Sequence, residues 1–186
     1  MPLFLNWKEF SDYYLKMRNL GIIHSMKDIY WDIRPKPKFG TVEVRICDTP
    51  LTLMRAIVII AYAQTLARYL LLEKPLPFTK DLFMIYNSNR FQACRYGYEG
   101  NFIDPHHLSQ HTIREDILST VKLLKPHAAA LNTENYLRTI HSLATNRQND
   151  AAYLRNIFSK SESFEKMVQN QCQLWLEQFY VKKLFI

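Results

Sequence analysis

Residues 28–53 read DIYWDIRPKPKFGTVEVRICDTPLTL, and the alternation in this stretch decides the fold. From Ile29 the pattern has period two, DIRPKPKFG then breaks it with two prolines and a glycine, and alternation resumes from Thr41 to Cys47. Two alternating runs around such a break predict two antiparallel strands joined by a proline-containing connection. Successive strand side chains point to opposite faces. Val42, Val44 and Ile46 are therefore expected on a buried face, with Glu43 and Arg45 on the other. Upstream, Tyr30, Asp32 and Arg34 share one face and Ile29, Trp31 and Ile33 the opposite one. With the apolar faces together, Asp32, Arg34, Glu43 and Arg45 line one polar surface, and Lys36 and Lys38 sit near its rim. A hairpin is marginal alone, so these strands are expected to belong to a larger sheet.

Working outward, Asn6 and Glu9 have capping-box spacing, and Trp7, Phe10, Tyr14 and Met17 recur at helical intervals before Gly21, which predicts a helix over 7–20. Leu51 to Leu72 is nearly all apolar and is followed by Pro75 and Pro77, so it is expected to be a buried central helix. Thr79 caps a further expected helix that runs to about Tyr96 and stops at Gly97. Residues 100–110 read as a loop or short hairpin. Thr112 and Glu115 form another capping box, Pro126 interrupts that helix near Lys125, and residues 132–185 divide into helices with Leu174, Trp175 and Phe179 on one apolar face. The expected fold is α+β, a single domain over 1–186 in which an antiparallel hairpin packs with about six α-helices.

The 186 residues are 48% hydrophobic and 22% charged, which puts the chain far from compositions that stay disordered. Only four glycines occur, and none makes a P-loop or GxGxxG spacing, so any nucleotide site must use side chains and metal rather than a cradle of backbone N–H groups. Cys47, Cys94 and Cys172 form no CxxC and predict neither a disulfide framework nor a cysteine zinc site; a reducing cytoplasm is expected. Cys94 is expected to be a buried structural thiol. The uncharged apolar run from Ala56 to Ala67 falls short of the roughly 20 residues a membrane span needs, so no membrane partner is expected. The formal charge of +7 is spread, with a single Lys182-Lys183 doublet and no arginine-rich stretch, so no nucleic-acid partner is expected either.

A carboxylate and two arginines projecting from rigid strands suit phosphoryl transfer from a nucleotide: the carboxylate holds Mg²⁺ and the arginines stabilise charge on the moving phosphoryl group. A solvent-facing strand pair with alternating charges is the competing reading. His106, His107 and His111 offer an i, i+4 pair for zinc, against an exposed loop opened by Pro105.

The string from Asp28 to Leu53, with its uncommon Trp31, and the later NRFQACRYGYEG from Asn89 to Gly100 resemble the bacterial glutamate–cysteine ligase type 2 family, carboxylate–amine ligases related to glutamine synthetase. The resemblance runs from about Met1 to Leu176. It implies an ATP-dependent ligase that phosphorylates the γ-carboxylate of glutamate and lets an amine, commonly cysteine, displace the phosphate, on a curved antiparallel sheet flanked by helices. By position, Glu43 matches the ligand for catalytic Mg²⁺, Arg45 the arginine on the transferred phosphate, and Arg34 an arginine at the nucleotide and substrate end. Lys36 is grouped with the ATP-binding cations, and Asn89 and Arg95 are candidates for substrate binding; Asp48 and Arg90 match without an assignable role.

Family members are roughly twice this length, and the resemblance implies that this chain corresponds to their C-terminal half. The N-terminal half would supply further strands and most of the metal-ligating glutamates. The isolated chain is accordingly expected to have little ligase activity and to associate with itself or with the missing half through its open strand edge. A non-catalytic interaction module, either a truncated remnant or a subunit docking on a separate N-terminal half, is the alternative.

Overall fold

The computed structural model describes residues 4–74 and 82–182. The fold is α+β, as the alternation and the helical periodicity predict, but the described residues contain eight α-helices and a second hairpin. They form two compact units, one comprising residues 4–48 and 82–86 and the other residues 49–74 and 87–182.

The first unit begins with α1 (Trp7–Asn19), capped as its sequence predicts. Asn6 Oδ1 accepts from the Glu9 N–H at 2.9 Å, and the Glu9 carboxylate reaches back to the Leu5 N–H at 2.9 Å. Gly21 ends the helix at φ +71°, a left-handed conformation glycine adopts without steric cost. Phe10 is buried, and its ring meets Phe4 and Trp31, with centroids 5.7 and 6.3 Å away, so the apolar stripe of α1 closes over the Trp31 segment as an aromatic cluster.

Strands β1 (Ile33–Lys36) and β2 (Thr41–Val44) then pair antiparallel, with Arg34 opposite Glu43 and Lys36 opposite Thr41. Pro37–Phe39 turn the chain and Gly40, at φ +61°, releases it into β2. The expectation for the faces is overturned. Val42, Val44 and Ile46 are 64%, 52% and 52% exposed, whereas Arg34 on the polar face is 5% exposed. The cause lies upstream: the Met26–Asp28 turn supplies backbone carbonyls to Arg34 and so covers the polar side of β1.

In the second unit, α2 (Leu53–Glu73) is capped by Thr52, whose hydroxyl accepts from the Arg55 N–H at 3.1 Å. Its expected burial is corrected, because only Val58, Ala61 and Thr65 are fully enclosed while Ile60 and Leu71 are exposed. By length and composition this 21-residue helix is apolar enough to cross a membrane, since it extends past the uncharged run at both ends through Arg55 and Arg68. The helix cap expected at Thr79 lies outside the described residues.

The part of α3 (Leu82–Tyr96) that belongs to this unit leads through Gly97 at φ +59° into β3 (Asn101–Asp104) and β4 (Ser109–Thr112), paired antiparallel. Thr112 and Glu115 close their capping box at the start of α4 (Ile113–Leu123), and Pro126 stands in the first turn of α5 (Lys125–Leu131). Then follow α6 (Glu134–Thr145), α7 (Asp150–Ser161) and α8 (Phe164–Lys182). The core joins Val121, Leu124, Ala128 and Leu137 to Tyr62, Leu66 and Tyr69 of α2. Two hydroxyls lock it from inside: Thr65 and Thr133 bond each other at 2.8 Å, and Thr65 also donates to the Ala61 carbonyl. Cys94 is exposed, correcting its expected burial, as are Cys47 and Cys172. On α8, Leu174 and Trp175 are half-buried and the Trp175 indole donates to the Pro50 carbonyl at 2.9 Å; the side chain of Phe179 lies outside the description.

Candidate functional site

The polar face of the first hairpin gathers Arg34, Lys36 and Glu43 within contact distance. Arg34 and Glu43 are cross-strand partners, so period two delivers them to one side and register sets them opposite. Arg34 Nε and Nη2 donate to Glu43 Oε2 at 2.9 and 2.6 Å. Lys36 Nζ approaches the same oxygen at 3.3 Å. Every one of these contacts falls on Oε2. Bonded first to Arg34 and then to Lys36, against some desolvation, the Glu43 carboxyl is held below the usual carboxylate range. It is an anion across the neutral pH range.

The other end of Arg34 turns inward. Nη1 faces the carbonyl oxygens of Met26, Lys27 and Ile29 at 3.3, 3.0 and 3.5 Å. That turn is itself pinned, because Asp28 Oδ2 accepts from the N–H groups of His24 and Ser25, both at 2.8 Å, and these bonds lower the Asp28 carboxyl below its ordinary range. The resemblance places Arg34 at the nucleotide; in the structure its Nε and Nη2 bond Glu43 and its Nη1 faces the backbone carbonyls.

Arg45 stands one residue beyond β2, fixed by its N–H to the Asp32 carbonyl at 2.7 Å. Its side chain is exposed and its guanidinium lies 5.4 Å from the centre of the Tyr30 ring, a cation–π contact. The hydroxyl of Tyr86 donates to the Asp32 carboxylate. Tyr86 is a residue that sequence reading missed, since nothing local marks a contact 54 positions away.

Asn89 and Arg95 belong to the second unit. The Asn89 amide is a clamp on β3: it donates to the Ile103 carbonyl and accepts from the Ile103 N–H, both at 2.9 Å. Arg95 borders a cavity of about 280 Å³ shared with Cys94, Tyr98 and Arg155. A larger cavity of about 500 Å³ opens beside Thr52 and Asn149, where Arg55 pairs with Asp150 at 3.4 Å.

Of the histidine segment, His106 and His107 lie in the turn between β3 and β4, whereas His111 is on β4 opposite Phe102, which corrects the exposed-loop reading for that residue. His107 pairs with Asp104 at 2.7 Å and His111 with Asp116 at 3.2 Å, on separate partners. Burial would raise the Asp104 carboxyl, but His107 and the N–H groups of His106 and His107 outweigh it and bring it down to about 2. Among the described residues no group of three or more His, Cys, Asp or Glu is placed to hold a metal ion. Glu43, a lone carboxylate paired with Arg34 and Lys36, does not by itself make a cation site, since Mg²⁺ takes six ligands.

Compared with known families, the chain matches the model of glutamate-cysteine ligase family 2 over residues 1–173.

Proposed function

The chain belongs to glutamate-cysteine ligase family 2, and from that premise we propose that it forms part of an ATP-dependent carboxylate–amine ligase that works through an acyl phosphate. The observation that carries this reading is Glu43: an ionised carboxylate on a rigid strand, one oxygen fixed by Arg34, with exposed Arg45 two residues along. The γ-carboxylate of glutamate attacks the terminal phosphorus of ATP and ADP leaves; the amine, cysteine being the first choice, then attacks the acyl carbon and inorganic phosphate leaves. Mg²⁺, held in part by Glu43, would supply charge neutralisation on the phosphates. Arg45 faces the transferring phosphoryl group, where a guanidinium matches the charge that develops on its oxygens. Lys36, half-exposed and held by a single contact to Glu43, extends this positive rim for the nucleotide.

One carboxylate does not fill an Mg²⁺ coordination sphere, and the remaining acidic ligands are proposed to come from an N-terminal half. The exposed Val42, Val44 and Ile46 support the same arrangement, because an apolar strand face at the surface is where another sheet element packs. They equally favour a second reading, in which the chain is a non-catalytic module that docks on that half or on another copy of itself. The three exposed cysteines suit a reducing cytoplasm.

The test is Mg²⁺-dependent ADP release with glutamate and cysteine from the purified chain, alone and mixed with the N-terminal half of a full-length family member. ADP release on mixing that disappears in Glu43→Gln supports the ligase. Stable association on mixing without ADP release supports the docking module.

A further inference from the structure

We propose that the cleft around Arg68, Glu73 and His127 is a binding site for an α-amino acid with an apolar side chain. It lies within the second unit and uses none of the hairpin residues. The cleft, of about 730 Å³, opens between the C-terminal part of α2 and the junction of α4 with α5. His127, on α5, is buried, with 8% of its side chain exposed, and its ring meets that of Tyr69 edge to face with centroids 5.4 Å apart. Both of its nitrogens face a charged group. Arg68 Nη1 lies 2.9 Å from Nδ1, and Glu73 Oε1 lies 3.6 Å from Nε2. A guanidinium has five N–H donors and no acceptor, so Nδ1 accepts from Arg68 and the ring proton sits on Nε2, towards Glu73.

A buried imidazole thus holds a cation on one side and a carboxylate on the other, one ring apart. Among the described residues His127 is the single hydrogen-bond partner of Arg68. The N–H donors of Nε and Nη2 are left for a ligand, and a guanidinium presents such donors as a fork that matches a carboxylate. Glu73, whose side chain is 56% exposed, accepts hydrogen bonds and suits an ammonium group. A purely anionic ligand would meet the charge of Glu73 as well as that of Arg68, whereas a zwitterion complements both. An α-amino acid carries its two charges on one carbon, close enough to meet groups held a ring apart. The cleft is also walled by Leu72 and Leu123, which are 60% and 52% exposed, and by Pro126. An apolar side chain laid over them takes that surface out of water.

His127 reports on the site, because the ligand's charges meet both of its neighbours. Imidazole ¹H–¹⁵N correlation spectra of the full chain are recorded during titration with leucine, with isocaproate, which lacks the ammonium, and with isoamylamine, which lacks the carboxylate. Leucine is expected to shift the His127 signals saturably. Each analogue is expected to bind more weakly by about tenfold or more, as loss of one charged hydrogen-bonding group dictates. Arg68→Gln and Glu73→Gln should each weaken leucine by a similar factor. The analogues need no substitution, so they carry the test should a variant fail to fold. Either analogue binding as tightly as leucine overturns the proposal. So does leucine binding that both variants leave unchanged, or the absence of any shift with leucine.

Discussion

Arg34 and Glu43 face each other across the first hairpin, and the guanidinium grips a single carboxylate oxygen, at 2.9 Å through Nε and 2.6 Å through Nη2. The pair spans nine residues of sequence and closes a loop containing Pro35, Pro37 and Gly40. Because the bond favours the ionised form, the Glu43 carboxyl titrates below the ordinary range of a glutamate, and linkage fixes the sign of its effect on stability. The contribution is full above the unfolded-state value and is lost as pH falls through the lowered folded-state value. Chemical denaturation of Glu43→Gln is therefore expected to show a less stable protein than the native chain at pH 7, with the difference shrinking below about pH 4.5. A difference that persists unchanged into acid would contradict the pairing.

Asp104 makes a second such contribution on the other hairpin, where its carboxyl is brought from 3.8 to about 2 by His107 and two backbone N–H groups acting against burial. Asp104→Ala is expected to cost about 1–2 kcal/mol at neutral pH, allowing for solvent screening of the pair. The difference should fade as pH drops from about 4 towards about 2. Urea titrations of both proteins at several pH values check this.

Gly100 sits where the chain leaves α3 for β3. A Cβ there would come within 2.6 Å of the Gln92 carbonyl oxygen and 2.8 Å of Ile113 Cδ1. The first of these is backbone and yields little, so Gly100→Ala is expected to destabilise by about 1–3 kcal/mol, as overpacking does. Thermal unfolding followed by circular dichroism reads the effect, and an unchanged midpoint would show that the α3–β3 junction relaxes.

Val42 and Val44 leave an apolar face of β2 exposed, and association through it is expected. Val42→Lys and Val44→Lys together place charge on a surface that is expected to pack against another sheet element. Sedimentation velocity across a concentration series should show the native chain self-associating and the double variant remaining monomeric. A native chain that stays monomeric at every concentration removes self-association from the account.

Local signals were legible in the sequence. The Asn6–Glu9 and Thr112–Glu115 caps appear where the spacing puts them, because a helix start depends on atoms within one turn. Period two also put Arg34 and Glu43 on one face, where they are cross-strand partners, with Lys36, expected only near the rim, reaching the same carboxylate. It could not say which face is buried, since that depends on what lies over the hairpin, and here the Met26–Asp28 turn covers the polar side through backbone carbonyls that carry no sequence signature. Tyr86 on Asp32 and Asn89 on Ile103 were illegible for the related reason that side-chain to backbone and long-range contacts follow from tertiary placement. The exposure of Cys94 and of much of α2 likewise reflects neighbours rather than composition.

The acyl-phosphate ligase reading is tested most directly by following oxygen from the γ-carboxylate of glutamate. The chain, mixed with the N-terminal half of a full-length family member, is supplied with Mg·ATP, cysteine and glutamate labelled with ¹⁸O in that carboxylate, and the inorganic phosphate is examined by mass. The account predicts one labelled oxygen in phosphate for each amide bond formed, and none with Glu43→Gln. Amide formation with unlabelled phosphate, or labelled phosphate that persists in Glu43→Gln, would contradict it.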